Sequence, residues 1–159
     1  MTDVPAPTGR VLLIAEDDPD DRLLFVDAVE EAGLDLDLHF AHDGQQVLDY
    51  LAKPDLFPRP DLIVMDLNMP GLDGREAIAR IKESSDWCAI PCVAMTTSHS
   101  DLDMCFVYAH GGNGYIVKPS SFEEFQGAIE SVTFYWLSLM SQPSNRYPCP
   151  KLTRAQWRT

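Results

Sequence analysis

Leu62-Ile63-Val64-Met65-Asp66-Leu67-Asn68-Met69-Pro70-Gly71 decides how this chain is read. A short apolar run ends on an acid and passes directly into a turn sequence, the pattern of a strand that delivers a polar residue at its C-terminal end. Three other stretches repeat it. Val11-Leu12-Leu13-Ile14-Ala15 ends on Glu16-Asp17-Asp18, Cys92-Val93-Ala94-Met95 ends on Thr96-Thr97, and Tyr115-Ile116-Val117 ends on Lys118-Pro119. In an open parallel α/β sheet the C-terminal ends of the strands line one crevice, where ligands bind. The sequence therefore draws an acid cluster, a hydroxyl and a lysine into one pocket.

Amphipathic stretches alternate with these runs, which signals βα units. Strands are expected at Val11–Glu16, Asp37–Ala41, Leu62–Asp66, Cys92–Thr96 and Tyr115–Lys118. Helices are expected at Pro19–Ala32, Gln45–Ala52, Arg75–Glu83 and Asp101–His110, with a long last one at Phe122–Met140. Asp18 reads as the first N-cap, with Pro19 at N1 and Gly33 as the stop. The second strand alternates apolar and polar residues, as an edge strand does. The fold class is then α/β: a flavodoxin-like doubly wound five-stranded parallel sheet, order 2-1-3-4-5, with five helices and a C-terminal extension. That order sets Asp17 and Asp66 at the switch point, where a phosphate-bearing ligand is expected. Residues 1–9 read as a flexible tail, 10–140 as the domain and 141–159 as a Pro-containing basic arm.

At 159 residues, 45% apolar and 23% charged, the chain suits one domain with a real core. A formal charge of −13 argues against nucleic acid and anionic membrane as partners. The charge is uneven: Arg146, Lys151, Arg154 and Arg158 are the only charged residues after Glu130, which leaves −17 on residues 1–130. An acidic body with a basic tail predicts that the tail docks on acidic surface. No signal peptide or membrane-length run is read in the sequence, so the cytoplasm is expected. Cys88, Cys92, Cys105 and Cys149 have no CxxC spacing and read as free thiols, and His39, His42, His99 and His110 as scattered surface or loop residues.

Clustered carboxylates repel one another, and a divalent cation relieves that repulsion. Carboxylates with a carbonyl and waters are hard oxygen ligands that suit Mg²⁺ (or Mn²⁺). Asp66 can act as a nucleophile and form an aspartyl-phosphate. Lys118 offers a cation to a phosphoryl oxygen and Thr96 a hydroxyl donor. Taken singly each residue has a plainer reading, a helix cap, a loop acid or a surface lysine; agreement of four strand ends outweighs these.

The chain resembles the receiver domain of two-component response regulators, over about residues 10–140. The resemblance lies in Leu12-Leu13-Ile14-Ala15-Glu16-Asp17-Asp18-Pro19, in Leu62 to Gly74, in Val93-Ala94-Met95-Thr96-Thr97 and in Gly114-Tyr115-Ile116-Val117-Lys118-Pro119. Within that family it is most similar to stand-alone regulators that partner bacterial phytochrome kinases, on Thr96-Thr97-Ser98-His99, on Asn113 to Pro119 and on Phe134-Tyr135-Trp136-Leu137. The resemblance implies that Asp66 accepts a phosphoryl group from a sensor histidine kinase of phytochrome type. Asp17, Asp66 and the Asn68 carbonyl would ligate the metal, with Glu16 acting through a water. Lys118 would pair with the phosphoryl group, Thr96 would move toward it, and Tyr115 would swing inward as the switch aromatic. Asn68 and Ser98 would tune the phosphoryl lifetime, and the Lys118–Pro119 bond would be cis. The Gly112-Asn113 pair stands where Gly-Ala is commoner in the family, which leaves the loop before the last strand open.

Phe122, Phe125, Ile129, Val132, Trp136 and Leu139 follow helical spacing as a core stripe, leaving Phe134, Tyr135 and Leu137 as candidates for a twofold dimer surface. Such a chain would be a phospho-acceptor switch that signals by protein contact, not an enzyme acting on metabolites. Two alternatives remain: a metal-dependent phosphatase or phosphotransferase, disfavoured because Asn68 stands where those enzymes commonly carry a second acid, and a receiver-like module that is never phosphorylated.

Overall fold

The apolar runs form strands because β-branched and long aliphatic side chains packed on both faces bury best in a parallel sheet. The computed structural model describes residues 6 and 8–143. Its order is β1 (Thr8–Ala15), α1 (Pro19–Glu31), β2 (Asp35–Ala41), α2 (Gly44–Leu51), β3 (Leu62–Met65), α3 (Gly74–Glu83), β4 (Cys92–Thr96), α4 (Asp101–Ala109), β5 (Gly114–Val117) and α5 (Phe122–Thr133). The sheet is parallel throughout, in the order β2-β1-β3-β4-β5. The flavodoxin-like fold read from the sequence is what forms, with most strand boundaries shifted by a residue or two; β1 begins three residues earlier than expected, so Thr8 and Gly9 belong to the strand and not to the tail read over residues 1–9.

Alternation along the strands sorts the core into two layers. Leu12, Ile14, Leu62, Val64, Val93 and Met95 pack under α1 and α5, where Phe25 and Phe125 meet edge to face at 5.0 Å. Leu13, Ala15, Ile63, Met65 and Ala94 pack under α2 and α3 with Val47, Ile78 and Ile81. Helix α4 contributes one buried residue, Val107; Leu102 and Tyr108 are exposed. Apolar packing holds it lightly. Among the described residues Cys92 is buried, Cys88 half-buried and Cys105 exposed, all as free thiols; Cys149 lies outside them.

Asn113 settles the loop before β5. Its N–H donates to the Cys92 carbonyl at 2.7 Å and its side-chain oxygen accepts from the Cys92 N–H at 2.9 Å. An alanine could make only the first of these bonds.

The end of the last helix departs from expectation. After Thr133 the chain passes into a π-helical turn, Phe134–Leu139, and the Met140 N–H reaches back to the Tyr135 carbonyl at 2.9 Å. The Thr133 hydroxyl donates to the carbonyls of Ile129 and Glu130 at 2.7 and 3.1 Å, competing with the α ladder. The wider turn moves the inward position one residue along. Leu137, expected on a dimer surface, is a core residue at 3% exposure, and Leu139, expected in the core, is 48% exposed. Phe134 and Tyr135 are exposed as expected. Leu137→Ala should cost about 2–4 kcal/mol and Leu139→Ala less than about 0.5 kcal/mol in urea unfolding; equal losses would return the segment to α-helical phase.

Candidate functional site

Each strand of the switch point ends in an acid held by main-chain bonds. The Asp66 N–H donates to the Ala15 carbonyl at 2.9 Å, and the Glu16 N–H to the Ala41 carbonyl at 2.9 Å, so the acids leave the sheet at fixed heights. Arg22 donates to the carbonyls of Glu16 and Asp17, both at 2.9 Å, closing the turn into α1, which Asp18 caps through the Asp20 N–H at 2.8 Å. Below Asp66, α3 approaches so closely that a Cβ on Gly74 would lie 2.1 Å from the Asp66 carbonyl oxygen. Only glycine permits that contact.

Carboxylate oxygens of Glu16, Asp17 and Asp66 lie within 4.8 Å of one another. Glu16 is 1% exposed and Asp66 8%, while Asp17 faces solvent. The Lys118 ammonium enters from β5 and donates to Glu16 at 2.6 Å, Asp21 at 2.9 Å and Asp66 at 3.3 Å. Burial pushes the Glu16 carboxyl above its usual range, against the pull of the Lys118 ammonium. Burial alone would lower Lys118, but the bonds to Glu16 and Asp21 and the charge of Asp66 outweigh it and hold the ammonium firmly protonated. The Glu16 carboxylate accepts from the Asp18 N–H at 3.1 Å, and Asp66 accepts from the Asn68 N–H at 3.1 Å.

The residues fit a divalent metal. The donors are all hard oxygens. Three carboxylates, of Glu16, Asp21 and Asp66, share the Lys118 ammonium, and the fourth, Asp17, has no cation partner among the described residues. Asp17 and Asp66 would hold the ion with the Asn68 carbonyl, and Glu16 would hold a bound water.

Thr96, fully buried, accepts through Oγ1 from the Ser98 N–H at 3.3 Å and the Asn68 amide at 3.5 Å. The Tyr115 ring packs half-buried, and its hydroxyl donates to the Ser98 carbonyl at 3.0 Å. Glu16, Asp17 and Lys118 thus gather at Asp66, and Asn68 connects it to a second group, Thr96, Ser98 and Tyr115. The Lys118–Pro119 bond corrects one expectation: no cis peptide occurs among the described residues, so it is trans. The two isomers of an X–Pro bond differ by only about 0.5–1 kcal/mol, and a family habit does not decide between them.

Two partnerships were not legible in advance. Asp21 reaches Lys118 because helix side chains lean toward the N-terminus, which for α1 points into the crevice. Arg75, in the first turn of α3, forks onto Asp103 in the first turn of α4 at 2.7 and 2.8 Å. A cation opposes the dipole at a helix start, which marks such a residue for a specific partner. Arg75 also donates to the Asn68 side-chain oxygen at 3.3 Å, and Ser98 donates to Asp103 at 2.6 Å.

The bond from Arg75, then that from Ser98, holds the Asp103 carboxyl down at about 2 from its ordinary 3.8. A depressed carboxyl contributes stability that is complete above its unfolded value and lost as pH falls through the folded one. Asp103→Asn should therefore be less stable than wild type at neutral pH, and the difference should vanish between about pH 4 and pH 2. Chemical denaturation at stepped pH checks this; a difference independent of pH would contradict it.

An acid cluster, a hydroxyl and a lysine at the C-terminal edge of a doubly wound sheet define a receiver domain. The chain belongs to that family: the response regulator receiver domain matches residues 12–130. Receiver domains are phospho-acceptor switches. The chain is 35% identical over 135 residues to the probable methanogenesis regulatory protein FilR2 of Methanothrix harundinacea, covering 84% of this chain and 87% of that one. It is 31% identical over 147 residues to the response regulator Rcp1 of Synechocystis sp., covering 91% of this chain and 99% of Rcp1. The Mn²⁺-bound structure of Rcp1 superposes with a TM-score of 0.77 over 85% of this chain and 99% of that one. The phosphorylated cyanobacterial phytochrome response regulator RcpA superposes with a TM-score of 0.80 at 29% identity, over 86% of this chain and 100% of RcpA. A manganese-bound relative and the carboxylate cluster together mark a divalent-metal site. No described helix is long and apolar enough to cross a membrane.

Proposed function

We propose that the chain is a single-domain response regulator whose Asp66 accepts a phosphoryl group from a phosphohistidine on a phytochrome-type sensor kinase, in an Mg²⁺-dependent reaction in the cytoplasm. The observation that carries this is the Lys118 ammonium 3.3 Å from an Asp66 carboxylate that also lies within 4.8 Å of Glu16 and Asp17. Similarity to Rcp1 and RcpA, both response regulators and the latter of a phytochrome, supports the choice of kinase.

In the transfer, an Asp66 carboxylate oxygen attacks phosphorus and the phosphorus–nitrogen bond of the donor breaks. The imidazole leaves with the bonding pair, and an aspartyl-phosphate remains. A bound divalent ion supplies positive charge to the phosphoryl oxygens. Lys118 gives up part of its contact with Asp66 and pairs with a phosphoryl oxygen. Thr96 exchanges its bonds from Asn68 and Ser98 for donation to another oxygen. Its movement frees space beside Tyr115, whose hydroxyl is tied to the Ser98 carbonyl, and the ring follows inward. That motion would carry the signal to α4 and β5, and output is contact with another protein.

Incubation with Mg²⁺ and acetyl phosphate should add one phosphoryl group by intact mass. The adduct should be absent in Asp66→Asn and decay in wild type. Labelling of Asp66→Asn as fast as wild type would overturn the assignment of the acceptor. Steady release of phosphate from generic esters would return the phosphatase reading. Phe134 and Tyr135, exposed on the same helix end, are proposed as a homodimer surface. Replacing both by serine should lower the sedimentation coefficient to that of a monomer, while an unchanged assembly would move the interface elsewhere.

A further inference from the structure

We propose that Arg75 is a positioning residue that lengthens the life of the phosphoryl group on Asp66, by holding Asn68 directly and Ser98 through Asp103. The inference rests on Asp66 being the acceptor.

Arg75 is joined to three parts of the site. It forks onto Asp103 at 2.7 and 2.8 Å, donates to the Asn68 side-chain oxygen at 3.3 Å and reaches the Leu67 carbonyl at 3.4 Å. Its own helix is anchored to the acceptor strand: the Gly74 N–H donates to the Leu67 carbonyl at 3.1 Å, and Gly74 lies directly against the Asp66 backbone. On the other side Asp103 accepts from the Ser98 hydroxyl at 2.6 Å, and Ser98 in turn accepts from the Ser100 N–H at 3.2 Å, at the cap of α4. A guanidinium on the acceptor's helix thus grips the loop between β4 and α4.

The grip engages the polar atoms that could otherwise serve water. Hydrolysis of an acyl phosphate needs a water oriented at phosphorus, and an amide oxygen or hydroxyl beside the acceptor can accept its proton in a hydrogen bond. The Asn68 oxygen already accepts from Arg75, and the Ser98 hydroxyl proton is committed to Asp103, which fixes where the remaining lone pairs point. Released, both side chains gain rotamers that face the crevice, and Asn68 is solvent-exposed enough to bring water with it. The fork matters more than the charge, because only a planar guanidinium can bridge both carboxylate oxygens and the amide at once.

The plainer account is a partly exposed ion pair that only adds stability. The experiment separates the two. Wild type, Arg75→Ala, Arg75→Lys and Asp103→Asn are labelled with acetyl phosphate and Mg²⁺, freed of donor, and followed by intact mass, with Tm measured on each. The expected result is a phosphoryl half-life shortened about fivefold or more in all three variants, well under the ~10²-fold that a fully positioned acid–base group supplies. Arg75→Lys should fail to restore the half-life while keeping the Tm near wild type. The double variant Arg75→Ala with Asp103→Asn should lose no more than the single ones, since they break one unit. Half-lives within about twofold of wild type in labelled variants, or a half-life restored by lysine, would overturn the inference and leave an ordinary ion pair. Arg75→Ala failing to fold would not block the test, because Asp103→Asn is isosteric and Arg75→Lys keeps the charge. A wild type that takes up no phosphoryl group would instead overturn the acceptor reading, and this inference with it.

Discussion

One ammonium among four carboxylates is the constraint on which the rest of the structure depends. Glu16 and Asp66 are 1% and 8% exposed, and Lys118 reaches both together with Asp21. Burying two carboxylates so close together is unfavourable unless a cation and main-chain donors accompany them. The cation comes from 102 residues away in sequence, on the far side of the sheet. Because every strand is parallel, the C-terminal ends of β1, β3 and β5 lie on one edge, and the order β2-β1-β3-β4-β5 makes β1 and β3 neighbours. The fold supplies Lys118 to the acids, and the acids keep Lys118 charged. Even so the site stays short of positive charge, since three carboxylates share one ammonium and Asp17 has none. That residual deficit is what a divalent ion relieves.

The same logic explains why α4 is placed by polar rather than apolar contacts. With Val107 its one buried residue, the helix gains little from the core. Its N-terminal turn is tied instead by the fork from Arg75, the bonds of Ser98 to Asp103 and the cap at Ser100. Polar bonds of this kind are individually worth about 1 kcal/mol, far less than a buried aliphatic contact set. A helix held so is easier to shift than α1 or α5, whose Phe25 and Phe125 interlock. Tyr115 bonds to the Ser98 carbonyl in the same loop, so the site, the loop and the outer face of β5 form one continuous set of contacts.

What the sequence revealed follows from which features are local. β3 and β4 are buried at every position, so each appears as an uninterrupted apolar run ending at its functional residue. Asp18, Asp73 and Ser121 cap helix starts through chemistry confined to a few residues. Asp21, Arg75 and Asp103 escaped notice because their partners lie far off: Arg75 and Asp103 are 28 residues apart, and only the misfit of an arginine in the first turn hints at the pairing. The π turn escaped because Val132 to Leu139 is apolar nearly throughout, so that stripes ending on Trp136 or on Leu137 are equally well formed. A hydroxyl on Thr133, not the hydrophobic pattern, tips the phase. Of the basic arm read over 141–159, residues 144–159 lie outside the described residues, and the expected docking of its basic residues lies there with them.

Asn68 shows how narrowly the site separates a switch from a hydrolase. Its neutral amide accepts from Arg75 through oxygen and donates toward Thr96 through nitrogen. An aspartate there could not donate, and it would add a fifth negative charge to a cluster that already has one ammonium for four acids. Arg75 would then face two carboxylates, Asp103 and the new one, where it now faces one carboxylate and an amide. The tether of the loop bearing Ser98 would then be shared, at the same moment that a potential general base appeared beside Asp66. An amide nitrogen in place of one carboxylate oxygen thus keeps Asn68, the guanidinium and the loop in one arrangement.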